Sequence, residues 1–223
     1  MNELSRFQHP RFARLWERIS VESDRRGTAA HRARTLTGLT GRVIEVGAGN
    51  GMNFPHYPDT VTEVVAVEPE DRLRALAEQA AAKAPVPIRV VAGHADDLPF
   101  DDASFDAAVG SLVLCSVPDP HRSLAELYRV VRPGGQLRFF EHVRSTNPAI
   151  GIFQTLITPV WAAVGGGCHL NRNTAASITA AGFRIEDIER LSYRPLRFIP
   201  AHAHILGRAR RPPQPVEDAQ TRQ

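Results

Sequence analysis

An α/β fold, with a mostly parallel sheet covered by helices on both faces, is what this chain of 223 residues predicts. Three observations predict it. Short apolar runs alternate with segments of helical period, the pattern of strands joined by crossover helices. The first run, Val43 to Val46, leads into Gly47, Gly49 and Gly51 at every second position, which describes a strand, a tight turn and a helix start shaped around a nucleoside. An acid, Glu68, closes the next apolar run about twenty residues further on, the usual distance for a ribose-binding carboxylate.

The elements follow in order. Phe12, Leu15, Trp16 and Ile19 recur at helical spacing, so a helix is expected from about Pro10 to Ser20, with proline in its first turn. A more polar helix, Ala29 to Thr37, passes through Gly38 and Gly41 into the first strand. Further strands are expected at Glu63 to Val67, Ile88 to Val91, Phe105 to Val109 and Gly135 to Phe140, with helices over Asp71 to Lys83 and His121 to Val131. The rhythm then breaks at an apolar helix, Pro148 to Val164, which carries Phe153 and Trp161 and ends in Gly165, Gly166 and Gly167. A helix near Thr174 to Ala181 and strands near Phe183 to Glu189 and Ala203 to Leu206 complete the domain. The expected organisation is a helical lid segment over residues 1–40, an α/β domain over 41–209 with a lid insertion at 146–172, and a disordered Pro- and Gln-rich tail over 210–223.

Composition narrows the class. Hydrophobic content of 43% and charged content of 23% are those of a globular protein, and no apolar run approaches the roughly 20 residues that span a bilayer. The first residues lack the apolar core and small-residue cleavage site of a secretory signal, so a cytoplasmic protein without a membrane span is expected. Cys115 and Cys168 cannot build a disulfide framework, and neither has a CxxC or CxxH neighbour, so both are expected reduced and no metal is expected. A formal charge of +3, with arginines scattered among acids, gives no basis for a nucleic-acid partner.

The glycine turn also limits its nucleotide. A dinucleotide fingerprint needs GxGxxG, but its third glycine position is Met52 here, and Glu45 ahead of the turn would sit badly beside a phosphate. An acid there suits a cationic ligand. S-adenosylmethionine has a sulfonium and an ammonium group and no phosphate, while Glu68 as a bidentate acceptor for ribose hydroxyls would also suit NAD.

The segment Gly93-His94-Ala95-Asp96-Asp97-Leu98-Pro99-Phe100, after the third strand, resembles the adenine loop of the class I S-adenosylmethionine-dependent methyltransferases. Arg132-Pro133-Gly134-Gly135, before the fifth strand, matches the same family. The resemblance implies a Rossmann-like fold with a seven-stranded sheet whose last strand is inserted antiparallel, and S-adenosylmethionine as cofactor. It implies cofactor contacts at Glu45, Gly47, Ala48, Gly49, Asn50, Asn53, Glu68, Pro69, Ala95, Asp96, Ser111 and Leu112, with Asp96 on the adenine amino group. The family's usual acid is replaced by His94, which is why Asp96 takes that place. A nicotinamide enzyme and a nucleotide-binding module without chemistry are disfavoured by Met52 and by the lack of a GxxxxGK[ST] loop.

Five more segments are similar to the alkyl-thiol methyltransferases of animals: Asn50-Gly51-Met52-Asn53-Phe54-Pro55-His56-Tyr57-Pro58, Leu112 to Val117, Glu141-His142-Val143, Gly167 to Arg172, and His204-Ile205-Leu206-Gly207. The likeness departs at the amino terminus, where the animal proteins carry a membrane anchor and this chain has a polar helix. It implies S-methylation of a small lipophilic thiol such as a dithiol natural product or xenobiotic; a small-molecule acceptor and a monomer or homodimer are expected. C- or O-methylation of a quinone or phenol, or cofactor binding without turnover, are the alternatives. His169 and His142, near predicted strand ends, are the candidates for deprotonating or orienting the acceptor. His9, Phe12, Trp16, Cys115, Phe153 and Trp161 are the candidates for its walls.

Overall fold

The computed structural model describes residues 3–197 and 199–214. Its sheet is built from β1 (Gly41–Val46), β2 (Val61–Val67), β3 (Ile88–Val91), β4 (Phe105–Ser111), β5 (Val131–His142), β6 (Arg184–Tyr193) and β7 (His202–Arg210). They lie in the order β3-β2-β1-β4-β5-β7-β6, and only β7 runs against its neighbours, as the family resemblance implies. The helices are α1 (Pro10–Ser23), α2 (Ala29–Leu36), α3 (Asp71–Ala81), α4 (Pro120–Val130), α5 (Pro148–Val164) and α6 (Thr174–Ala180).

Strand periodicity divides the core between two faces. Ile44, Val46, Val65 and Val67 point to one face, where Leu124 and Leu127 of α4 and Ile178 of α6 meet them. Val43, Val64, Ala66 and Val109 point to the other, against Leu36 of α2 and Ala77 of α3. Burial on both faces is why these runs read as continuously apolar rather than alternating. Side-chain caps set the helix starts: Asp119 accepts from the His121 and Arg122 amides, and Glu70 accepts from the Leu73 amide.

The structure departs from the expected boundaries mainly in the antiparallel part. β6 and β7 pair from Arg184↔Arg210 to Tyr193↔His202, well beyond the apolar cores that marked them in the sequence. β6 is mostly exposed and polar, so cross-strand pairing and ion pairs such as Arg210–Glu186 hold the length that apolar alternation does not. Arg210, where the tail was expected to begin, is still in β7, and the Arg211 guanidinium donates to the carbonyls of Tyr128, Arg129 and Val131. The rest of the expected tail, 215–223, lies outside the described residues. At the other end, α1 continues to Ser23 and joins α2 through one wide turn, Asp24–Thr28, kinked at Gly27 where φ is +119°.

α5 is docked by its polar side. Gln154 donates to the Val143 carbonyl at 3.1 Å and accepts from the Ser145 amide at 2.7 Å, and Thr158 is buried beside it. Ile152, Phe153, Leu156 and Val160 stand 57–73% exposed. Among the described residues, no helix is long and apolar enough to cross a membrane.

Candidate active site

The carboxyl ends of β1 and β2 form one half of the site. Gly47 and Gly49 have φ of +62° and +59°, backbone that an L side chain adopts only at a cost. A Cβ on Gly47 would also lie 2.2 Å from Val113 Cγ2. Glu68, 5% exposed, accepts from the Gly49 amide at 2.7 Å and from the Glu70 amide at 3.0 Å. Burial pushes its pKa up to about 7 against the pull of those two amides. Each oxygen accepts one of these bonds and keeps acceptor capacity for another, so the carboxylate fits two ribose hydroxyls.

Glu45, near the end of β1, is occupied differently. Its carboxylate accepts from Asn53 Nδ2 and from the Tyr57 hydroxyl, both at 2.7 Å, and burial lifts its pKa to about 7. Asn53 is held in turn by Arg32, which also pairs with Asp24 at 3.0 Å and approaches Ser111 Oγ at 3.4 Å. Glu45, Asn53 and Ser111 thus belong to one buried polar network beneath the turn, with Glu45 bonded to protein groups at both oxygens. Arg32 and Tyr57 were not anticipated, because nothing local in the sequence pairs them with Glu45.

The expected adenine loop is ordered by α4. Asp96 accepts from the Ser123 hydroxyl, its carbonyl accepts from Arg122, and Ala95 is buried in the core. The amino-terminal segment crosses the same strand ends. Gln8 donates to the Pro69 carbonyl at 2.8 Å, Phe7 stacks on His94, Ser20 Oγ accepts from Asn50, and the Trp16 ring lies against Gly49. Phe12 stacks on Trp16 at 5.7 Å and touches Gly166, so the amino-terminal segment meets the end of α5. His9 is exposed at the start of α1, and Phe153 is 58% exposed on the outer face of α5. Neither lines the interior, because α5 turns Gln154 and Thr158 inward and the start of α1 lies at the rim.

The second half of the site follows β4 and β5. Leu112 takes φ of +58°, a strained conformation for leucine, which turns the next three amides toward β5. There Glu141, fully buried, accepts from the Val113, Leu114 and Cys115 amides at 3.0, 2.9 and 3.0 Å. Burial lifts its pKa to about 7 despite those bonds. Glu141 is not among the expected site residues, although an acid directly after Phe139 and Phe140 at the end of an apolar run is the kind of position that Glu68 occupies.

The Glu141 clamp sets Cys115 beside Cys168 and His142. The two sulfurs are 3.6 Å apart, and His142 Nδ1 is 3.5 Å from one and 3.4 Å from the other. Contact with Cys168 and burial push the Cys115 thiol up, and the same sulfur contact draws Cys168 down. Trp161 and Ile157 pack on this pair. His202 and His204, unremarked as site residues, lie tilted against His142 with ring centroids 4.9 and 4.5 Å away. Burial holds His142 well below the usual imidazole range and lowers His204 to about 3. His169 is tied into the cluster through its amide, which donates to the Cys115 carbonyl at 2.8 Å. Its Nδ1–H donates to the Gly167 carbonyl at 2.6 Å, a bond that in the neutral ring places the lone pair on Nε2. A cleft of about 240 Å³, with Ile150, Leu191, His202 and His204 in its wall, opens beside the cluster.

The sheet order, the glycine turn and the ribose-spaced carboxylate define a class I S-adenosylmethionine-dependent methyltransferase, with S-adenosylmethionine as its cofactor. Residues 44–139 match the family model for a methyltransferase domain. The thiol S-methyltransferase TMT1B of Homo sapiens is 36% identical over 180 residues, spanning 78% of this chain and 73% of that protein. A demethylmenaquinone methyltransferase of Renibacterium salmoninarum is 38% identical over a shorter stretch, 52% of this chain and 46% of that protein. A solved S-adenosylmethionine-dependent methyltransferase of Thermotoga maritima superposes with a TM-score of 0.69 at 23% identity, over 90% of this chain and 97% of that one. The chain belongs to the methyltransferase family that includes these thiol S-methyltransferases.

Proposed function

We propose that the enzyme methylates the sulfur of a small lipophilic thiol. One observation carries this reading: the acceptor half of the site offers sulfur and neutral imidazole, while its buried carboxylate, Glu141, is taken up by three backbone amides. When bound, S-adenosylmethionine supplies a methyl group already activated by its sulfonium. The chain's residues then have to align the acceptor and exclude water. Glu68 holds the ribose, and Trp16 and Phe12 cover the glycine turn and meet the lid.

The base this chemistry needs is weak. A thiol of ordinary pKa near 8.5 is roughly a tenth ionised at about pH 7.5, so a neutral imidazole can take its remaining proton. His169 is suited to this, because the Gly167 carbonyl holds the proton on Nδ1 and Nε2 stands ready to accept one. His142, held neutral by burial, orients the acceptor in the same wall. A phenol or carbon acceptor asks for a stronger base. That second reading draws on the likeness of about half of the chain to a demethylmenaquinone methyltransferase.

The experiment is a methyl-transfer assay with labelled cofactor across matched thiol, phenol and amine acceptors. Preference for the thiol is expected. Preference for a phenol or a carbon centre would overturn the thiol assignment and keep the class, and cofactor binding without transfer to any acceptor would reduce the protein to a binding module.

A further inference from the structure

Cys115, His142 and Cys168 lie in three separate segments: the loop after β4, the last residue of β5 and the glycine-rich turn after α5. The fold brings them into a triangle with edges of 3.6 Å between the sulfurs and 3.5 and 3.4 Å from each sulfur to His142 Nδ1. A tetrahedral zinc ion, with zinc–sulfur bonds near 2.3 Å and zinc–nitrogen bonds near 2.05 Å, requires edges of about 3.8 Å between sulfurs and about 3.5 Å from sulfur to nitrogen. The triangle matches these to within about 0.2 Å. A disulfide would instead need the sulfurs at about 2.05 Å.

The surroundings are those of a ligand set as well. An imidazole that ligates through Nδ1 carries its proton on Nε2 and needs an acceptor there. His202 and His204 donate their Nδ1–H groups to the Pro200 and His202 carbonyls, both at 2.9 Å, which leaves each Nε2 a lone pair. His204 Nε2 is buried without a hydrogen-bond partner, and one ring nitrogen from each of the three histidines lies within 4.8 Å of the others. The ligand-bearing segments are also fixed before any ion arrives. Glu141 holds the Cys115 amide, the His169 amide holds the Cys115 carbonyl, and Arg172 bonds the Leu114 and Val117 carbonyls at 2.7 and 2.8 Å. Two thiolates neutralise a divalent ion, so the ion held by the three protein ligands carries no net charge into a buried place.

We propose that Cys115, His142 and Cys168 bind a zinc ion through three protein ligands, with one tetrahedral position left for an exogenous ligand. Two thiolates and an imidazole select zinc over harder cations. Binding releases the two thiol protons to solvent, and His142 ligates as the neutral imidazole. The metal site stands independently of the acceptor's identity. Resting on the thiol reading above, the fourth ligand is the acceptor's sulfur, which gives its proton to His169 Nε2 and enters as thiolate. No short motif carries this set, which is why the sequence alone led to the expectation of no metal.

The test uses the full chain, produced without a histidine tag and purified under reducing conditions with zinc. Metal analysis should find one zinc per chain. Replacement by cobalt(II) should give thiolate-to-metal charge-transfer absorption and the visible bands of a tetrahedral ion. Cys168→Ser and His142→Gln should each abolish stoichiometric metal while S-adenosylhomocysteine still binds, which shows that the variants are folded. Substoichiometric metal in wild type with both thiols free would overturn the site, as would a Cys115–Cys168 disulfide in its place, or zinc content indifferent to Cys168→Ser. A small thiol added to the cobalt form should shift the visible bands. An unshifted spectrum with metal retained would overturn the thiol as fourth ligand and leave the ion in place, whereas a phenol preference in the acceptor panel would overturn the thiol reading alone.

Discussion

The two halves of the sheet hold their functional groups in opposite ways. On the β3-β2-β1 side, the site is backbone and carboxylate: a turn of glycines, and Glu68 bonded to the amides of Gly49 in that turn and of Glu70 two residues on. On the β5-β7-β6 side, it is side chains drawn from far apart, with Cys115, His142, Cys168, His202 and His204 spread over about ninety positions and gathered by an antiparallel insertion. The first half is local in sequence, with its glycine turn and carboxylates at fixed spacings. The second is non-local, and its outer strand and α5 are weakly patterned. Recognition of a nucleoside can be encoded in the ends of neighbouring strands and one turn, whereas a wall for an acceptor needs the finished tertiary structure.

Substitutions where the halves touch should break this division most severely. Gly47 meets Val113 of the loop after β4, so Gly47→Ala adds a Cβ at 2.2 Å from Val113 in a left-handed backbone. The conformational term is about 1–2 kcal/mol and overpacking about 1–3 kcal/mol, so urea denaturation should show a combined loss of about 2–5 kcal/mol. Glu141→Gln should come next. An amide nitrogen would face at least one donor among the three amides now held by the carboxylate, for a loss of about 1.5–3 kcal/mol measured the same way. The response to pH should be smaller and shared. Glu45 and Glu68 on one side and Glu141 on the other have pKa values raised to about 7, so the native state keeps protons that the unfolded chain has already lost. Their contribution to stability is therefore complete below the unfolded carboxylate pKa and is lost as pH rises through about 7. The buried imidazoles, whose native pKa values are lowered, act in the opposite sense, because the unfolded chain is still about half protonated at its imidazoles near pH 6.5. Between about pH 6.5 and 8 each raised carboxylate should therefore cost the cofactor-free protein up to about 1 kcal/mol, offset in part by about 0.4 kcal/mol regained for each buried imidazole, and bound cofactor should reduce the share of Glu68 by favouring its ionised form.

The same contrast explains what the sequence made legible. The buried parallel strands announce themselves because both faces are apolar, and the glycine turn and Glu68 sit at spacings that chemistry fixes. The ends of β6 and β7 were hidden because exposed polar residues carry no period, and pairing alone extends them to Tyr193 and Arg210. α5 misled for a related reason. Its sequence is apolar almost all round, so nothing marked Gln154 and Thr158 as the inward side or left Phe153 outside. Glu45 stands out in the sequence as an acid ahead of the turn, but its partners Tyr57 and Asn53 are supplied by the fold. His142 and Cys115 each stand out separately, and only the fold joins them to Cys168.

The central claim is that cofactor binding and acceptor handling belong to different halves. It is tested most directly by comparing Glu68→Ala with His169→Gln by calorimetry with S-adenosylhomocysteine and by steady-state transfer to a thiol. Glu68→Ala should weaken cofactor binding by about 1–3 kcal/mol, the loss of hydrogen bonds to a charged group. His169→Gln should leave that affinity unchanged and lower the rate of transfer at saturating cofactor. Equal loss of cofactor affinity in both variants, or full transfer activity in His169→Gln, would contradict the account.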